Sequence, residues 1–359
     1  MERVTRALVA AAGFDDGLYA RVQGRLDELR RDSESELDQA EAALEGKGEV
    51  WEHLAQARKS STLLFRESFA FVEGALWRQA QLDGGLCALA DKLLDSLDSD
   101  HELNWRGLTI MGEGSFYGDA AEVIRLRYPE LTIWHLPVAV HEFGHFANPQ
   151  IRVKARAGSV WGWRYPVQAM LDRAAKRDPT EWFRTHELLA DIFAVFAIGP
   201  AYAYASLLLR PDPRLTGAES RTHPSWSERY FVIVETLRRI TRHGGATAAI
   251  VRDVAARSEE IRALASRPAA PDTKALKSLV SRFYPLLDGG LRGVRYETFV
   301  EAQKVEAALA DDAEGLGAAP GVRMADILNA AWLARIGELE NDERTATIEA
   351  RARQACEAL

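Results

Sequence analysis

From Ile192 to Leu209 the chain reads IFAVFAIGPAYAYASLLL, eighteen residues without a charge. This run constrains the fold more than any other feature, because so many apolar side chains must leave water together. By length alone it could cross a bilayer. Gly199 and Pro200 divide it, however, and proline suits the first turn of a new helix better than a helix interior. Its alanines and tyrosines also keep it only moderately apolar. The expected outcome is two buried helices joined at Gly199-Pro200, with no stable membrane insertion.

The flanks of this run read as helical. Leu18, Val22, Leu26 and Leu29 follow helical spacing with charges between them. A second long helix is expected from about Val50 towards Asp83-Gly84-Gly85, and a third, LCALADKLLDSL, ends near Asp98. The texture then changes. GLTIMG from Gly107 reads as a strand, DAAEVIRLRY as a short helix, and LTIW (Leu131 to Trp134) as a second strand. After Gly244-Gly245 the chain turns helical again. The expected fold class is mainly α (α+β): a core over 101–245 with a small β-sheet, an N-terminal helical region over 1–100 and a C-terminal one over 246–359.

Composition narrows function. A formal net charge of -8 argues against bulk nucleic-acid binding, which calls for a basic patch. Cys87 and Cys356 stand far apart with no C-x-x-C pair, which suits a reducing cytoplasm. The opening MERVTRALVAAAGFDD has a short apolar run that Asp15 and Asp16 cut off, so no signal peptide is expected.

The chemistry centres on PVAVHEFGHFANP, residues 137 to 149. With Pro137 near the first turn of a helix, His141 and His145 project from one face, one turn apart. That spacing lets two imidazoles share a tetrahedral Zn2+, and Glu142 stands where a general base is needed. The other reading is an ordinary helix carrying two unrelated histidines. A catalytic zinc needs a third ligand. The metzincin continuation is ruled out, since Asn148 and Ile151 occupy its glycine and histidine positions. Downstream, THELLADIFA places Glu187 and Asp191 one turn apart on an otherwise apolar helix. A buried carboxylate pair is costly unless satisfied. Glu187 as a metal ligand, with Asp191 accepting a ligand histidine's ring N–H, would satisfy it. A buried acid paired with arginine or lysine is the alternative, and His186 is a competing ligand. Further on, RTHPSWSERY suggests that Thr222 or His223 caps a helix with Pro224 at its first position. His223 and Arg229 would then lie on its opening turns, where they could stabilise an anionic intermediate or bind a substrate carbonyl.

HEFGH, then ELLAD, then THPSWSER, in that order, resembles the gluzincin metallopeptidases, and more narrowly the family of the CAAX prenyl proteases and the HtpX heat-shock protease. The resemblance covers roughly residues 105 to 240. It implies a zincin-like catalytic core, with His141, His145 and Glu187 as zinc ligands and Glu142 as catalytic base. It further implies a supporting role for Asp191, and substrate or transition-state contacts for His223 and Arg229. Members of that family usually carry transmembrane helices, which this sequence does not offer. The stretch between His145 and Glu187, with Trp161, Trp163, Tyr165 and Trp182, also departs from the pattern; these aromatics either line a cleft or pack under a loop, with packing favoured.

The expected activity is zinc-dependent hydrolysis of peptide bonds in a protein or peptide substrate, with GLTIM or LTIW as an edge for an extended peptide. The helical ends would serve a regulatory partner. Two alternatives stand beside it: a helical scaffold or partner-binding protein with a vestigial metal site, and a zinc hydrolase of a non-protein amide.

Overall fold

In a computed structural model, the described residues are 50–99 and most of 103–359. The exceptions after residue 103 are 106, 113–115, 119–122, 128–130, 155–162, 211–222, 242–244, 265–269, 298 and 311–320, and only scattered positions precede Val50. The heptad-like stripe of Leu18 to Leu29, Trp161 and Thr222 lie outside the described residues. The elements are α1 (Val50–Gln79), α2 (Leu86–Ser99), β1 (Leu108–Gly112), β2 (Phe116–Gly118) and β3 (Val123–Arg127). Then come α3 (Leu136–Gln150), β4 (Val153–Lys154), β5 (Trp163–Arg164), α4 (Pro166–Arg177), α5 (Pro179–Ile198), α6 (Pro200–Leu209) and α7 (Trp226–Ile240). The tail holds α8 (Gly245–Leu264), α9 (Thr273–Gly290), α10 (Phe299–Ala310), α11 (Met324–Gly337) and α12 (Asp342–Ala358). The described residues are mainly helical, with two small sheets among them. No helix among the described residues is long and apolar enough to cross a membrane.

The chain divides into two units, Met1–Asp91 with Trp105–Leu131, and Lys92–Asn104 with Thr132–Leu359. In the first, a three-stranded sheet has the order β1-β3-β2, with β3 parallel to β1 and antiparallel to β2. Asp91 ties helix to sheet: it accepts from Arg78 Nη1 at 2.7 Å and from the Thr109 amide at 2.8 Å. On α1 the buried face carries Phe71, Val72 and Ala75, while Phe69 is exposed.

Two expectations fail here. Residues 123–127, read as part of a short helix, form the central strand β3. Val123 to Leu126 are all buried, a continuous pattern that a strand paired on both sides satisfies and an amphipathic helix does not. LTIW, read as a strand, pairs with no strand among the described residues; Ile133–His135 is instead a 3-10 turn that leads into α3. The His135 amide donates to the Thr132 carbonyl at 3.0 Å, and Trp134 is buried edge-on against Trp332 rather than in a ladder.

The second unit is built around the uncharged run. Every residue from Leu188 to Leu207 is buried, and the chain breaks at Gly199 as the glycine-proline pair suggests. Gly199 has φ 65°, and a Cβ there would overlap the Tyr296 ring, so both the backbone and the neighbour require glycine. Asn329 bridges the break: its amide donates to the Ile198 carbonyl at 2.7 Å and its carbonyl accepts from the Ala201 amide at 2.8 Å. One carbonyl left over where the first helix stops and one amide where the next begins are thereby satisfied.

Candidate metal centre

Helix α3 begins with Pro137 in its first turn and is buried from Leu136 to Asn148. Burial on every side means that helix neighbours, not solvent, receive its two histidines. His141 and His145 present their rings from one face, with centroids 5.0 Å apart. Glu142 is buried beside them, at 3% exposure.

The partner is α5. Asp178 caps it, accepting from the Thr180 amide at 2.8 Å, and Pro179 opens the first turn. The two helices approach closely because the fourth residue of HEFGH is glycine. A Cβ on Gly144 would lie 3.1 Å from the Ala190 Cα and 3.1 Å from the Phe193 ring. This approach sets Glu187 against both histidines: Oε2 lies 3.4 Å from His141 Nε2, and Oε1 lies 3.4 Å from His145 Nε2. One donor atom from each of His141, His145 and Glu187 lies within 4.8 Å of the others, so the group could hold a metal ion. Two nitrogens and one carboxylate oxygen are borderline-to-hard donors suited to a first-row divalent ion.

One turn on from Glu187, Asp191 is fully buried and occupied from three sides. Arg229 donates to it twice, Nε to Oδ2 at 2.8 Å and Nη2 to Oδ1 at 2.7 Å. The Tyr202 hydroxyl donates to Oδ1, and His141 Nδ1 lies 3.0 Å from the same oxygen. With Nδ1 facing a carboxylate, His141 keeps Nε2 for Glu187 and an ion, the usual carboxylate–histidine arrangement of metal sites. Asp191 thus lies against His141 and is at the same time a buried acid paired with arginine.

Charges in this cluster are set by burial against close partners. Burial opposes ionisation of Glu187, but hydrogen bonds from His141 and His145 hold it well below the usual carboxylate range. Burial likewise opposes Asp191, and the Arg229 guanidinium holds it down. Burial pushes His141 down, yet Asp191 and Glu187 leave it raised. For Arg229 burial is outweighed by Asp191, and the guanidinium is held well above its ordinary value.

Helix α7 delivers Arg229, but not with the predicted cap. Ser225 is the N-cap, in a capping box with Glu228, and Trp226 is the first helical residue. Pro224 therefore precedes the helix rather than opening it. A serine three residues before glutamate makes two reciprocal bonds to orphan amides, which histidine at 223 would not make. Arg229 is on the first turn as expected. His223 sits before the helix, with its side chain 57% exposed and Nε2 3.6 Å from Glu187 Oε1.

One further residue, outside every motif of the sequence, joins the cluster. Tyr202 on α6 belongs to the uncharged run, yet its hydroxyl, 3.1 Å from His141 Nδ1, joins Asp191 to that histidine. A polar tip inside an uncharged helix was the available clue. His186, weighed as a ligand, lies instead behind His145, ring against ring at 4.5 Å, with Nε2 3.2 Å from the His145 carbonyl. Burial and the neighbouring His145 push its pKa down to about 3. Trp163 and Tyr165, expected to pack, are exposed. No family model matches this chain, and neither does any curated protein or solved structure.

Proposed function

We propose that the protein is a zinc-dependent metalloprotease of the gluzincin type, a zincin-like core hydrolysing peptide bonds in a protein or peptide substrate. The observation that carries this reading is the convergence of His141, His145 and Glu187 with Glu142 buried alongside. Four-coordinate zinc with bonds of about 2.0–2.1 Å sets neighbouring ligand atoms about 3.3 Å apart. The two histidine–Glu187 separations of 3.4 Å suit that spacing. Three protein ligands also leave the fourth position open, as catalysis requires.

Bound zinc supplies Lewis acidity, which acidifies water and polarises the scissile carbonyl. Glu142 accepts the proton of the attacking water and returns it to the leaving nitrogen. Asp191 fixes the His141 ring through Nδ1, and Arg229 holds Asp191 ionised for that task. In this reading His223, exposed beside Glu187, is the residue that meets substrate.

Metal analysis of the purified protein and a Glu142→Gln variant test the reading. Stoichiometric zinc in both proteins, with proteolysis in the wild type alone, is the expected result. Zinc absent even after reconstitution would defeat the metal assignment; undiminished proteolysis by the variant would defeat the assignment of the base.

A further inference from the structure

Beside the metal cluster, a cavity of about 720 Å³ opens between α4, α5, α7 and α9. At about 100° per residue, Arg184 and Leu188 occupy the stripe of α5 next to the one bearing Glu187 and Asp191. The cavity and the cluster therefore share one helix, and they share the first turn of α7 as well, where Glu228 lines the cavity and Arg229 reaches the cluster. Arg184 Nη2 donates to both Glu228 oxygens at 2.9 Å, closing the boundary between them.

The charge of the cavity is unlike that of the chain. The protein carries a formal net charge of -8, yet four arginines and three carboxylates line this space. Arg184 and Glu228 neutralise one another, and Asp272 caps α9 by accepting from the Ala275 amide at 3.0 Å. Arg173, Arg177 and Arg282 have no carboxylate within ion-pair distance among the described residues. Arg173 and Arg282 use Nε, to the Ala169 and Ser278 carbonyls, and their terminal nitrogens meet no acceptor among the described residues. Three guanidinium forks thus share the cavity with one unengaged carboxylate, Glu181. Leu188, Leu276 and Leu279 supply an apolar floor.

A guanidinium fork matches a carboxylate in geometry as well as charge. We infer that this cavity docks a peptide segment rich in Asp or Glu with interspersed apolar side chains, holding a protein substrate next to the metal centre. This inference rests on the proteolytic reading above, and it adds a substrate preference that the cluster itself does not specify. Apolar side chains would fill the leucine floor while the acidic ones pair with Arg173, Arg177 and Arg282.

The test is fluorescence anisotropy on the full chain carrying Glu142→Gln, which prevents cleavage of the probe. The probes are a labelled peptide alternating glutamate and leucine, its counterpart with lysine for glutamate, and inorganic phosphate as competitor at matched ionic strength. The glutamate peptide is expected to bind, and the added pair Arg173→Glu and Arg177→Glu to weaken it by about tenfold or more, as loss of charge-assisted hydrogen bonds implies. Both arginines are exposed, so the fold tolerates the change, and circular dichroism checks it. No binding, equal binding by the charge-reversed variant, or equal binding of the lysine peptide would overturn the inference. Full displacement by phosphate would also overturn it, in favour of a free-anion site. Zinc content and cleavage by the wild-type protein are measured apart from docking. Docking lost with zinc and cleavage intact defeats this inference alone, whereas docking without zinc or cleavage defeats the proteolytic reading alone.

Discussion

Arg229 holds Asp191 through two parallel hydrogen bonds, 2.7 and 2.8 Å long, with both side chains almost wholly removed from water. Two helices and the candidate metal centre meet in that pair. A buried charge left without its partner is far more costly than the intact pair is stabilising.

Arg229→Met therefore leaves the Asp191 carboxylate buried with only Tyr202 and His141 to answer it. The expected loss of stability is about 3–5 kcal/mol, read from chemical denaturation of the metal-free protein. Arg229→Lys recovers little of this, because an ammonium group does not reproduce the two-pronged geometry. A loss of only about 1 kcal/mol or less in Arg229→Met, the range of exposed pairs, would show that the pair is more hydrated than its burial implies.

Tyr202→Phe keeps the ring and removes the hydroxyl that links Asp191 to His141. Stability should fall by about 1 kcal/mol, the net value of a typical hydrogen bond. Metal affinity should fall by about 10–100-fold, as it does when a supporting partner of a ligand histidine is lost. Chelator competition measures the second quantity. Unchanged metal affinity would reduce Tyr202 to packing.

The pH dependence of the metal-free protein has two limbs with different owners. Glu187 and Asp191 are held below their ordinary values, and His186 is pushed down to about 3. For all three the unfolded chain takes up protons first, so their contribution is lost as pH falls, His186 first below about 6.5 and the carboxylates below about 4. His141 is raised, so its contribution is complete below about pH 6.5 and is lost as pH climbs through its folded value. The melting temperature should peak near about pH 6.5 and decline on both sides. His186→Phe should flatten the upper part of the acid limb; an unaltered limb would remove His186 from the account.

Much of this site was legible because ligand spacing on a helix is a local property. His141 and His145 share a face by pitch alone, as do Glu187 and Asp191, and the glycine-proline break at 199–200 follows from backbone chemistry. What was not legible depended on neighbours distant in sequence. Tyr202 acquires its role only once α6 folds back on α3, and His186 loses its claim as a ligand only because its ring stands behind His145. The strand at 123–127 is the same kind of case. Its apolar residues fit a strand once β1 and β2 flank it, and five residues hold too little periodicity to decide alone. Ser225, rather than Thr222 or His223, is the cap because Glu228 completes a reciprocal box, a pattern that stands in the sequence directly after Pro224.

The closest test of how the two ligand helices meet is Gly144→Ala. In an isolated helix this change is stabilising by about 1 kcal/mol, since alanine loses less backbone freedom than glycine. Here the new methyl would stand 3.1 Å from the Ala190 Cα, against backbone that cannot rotate away. Relief requires α3 and α5 to separate by a few tenths of an ångström, with core side chains displaced, at a cost of about 1–3 kcal/mol. The same movement draws His141 and His145 away from Glu187, so metal affinity should fall together with stability. The sign is the discriminating feature: helix propensity and close packing predict opposite shifts in melting temperature. A rise, with metal affinity unchanged, would mean that the two helices do not approach as described and that Glu187 reaches the histidines some other way.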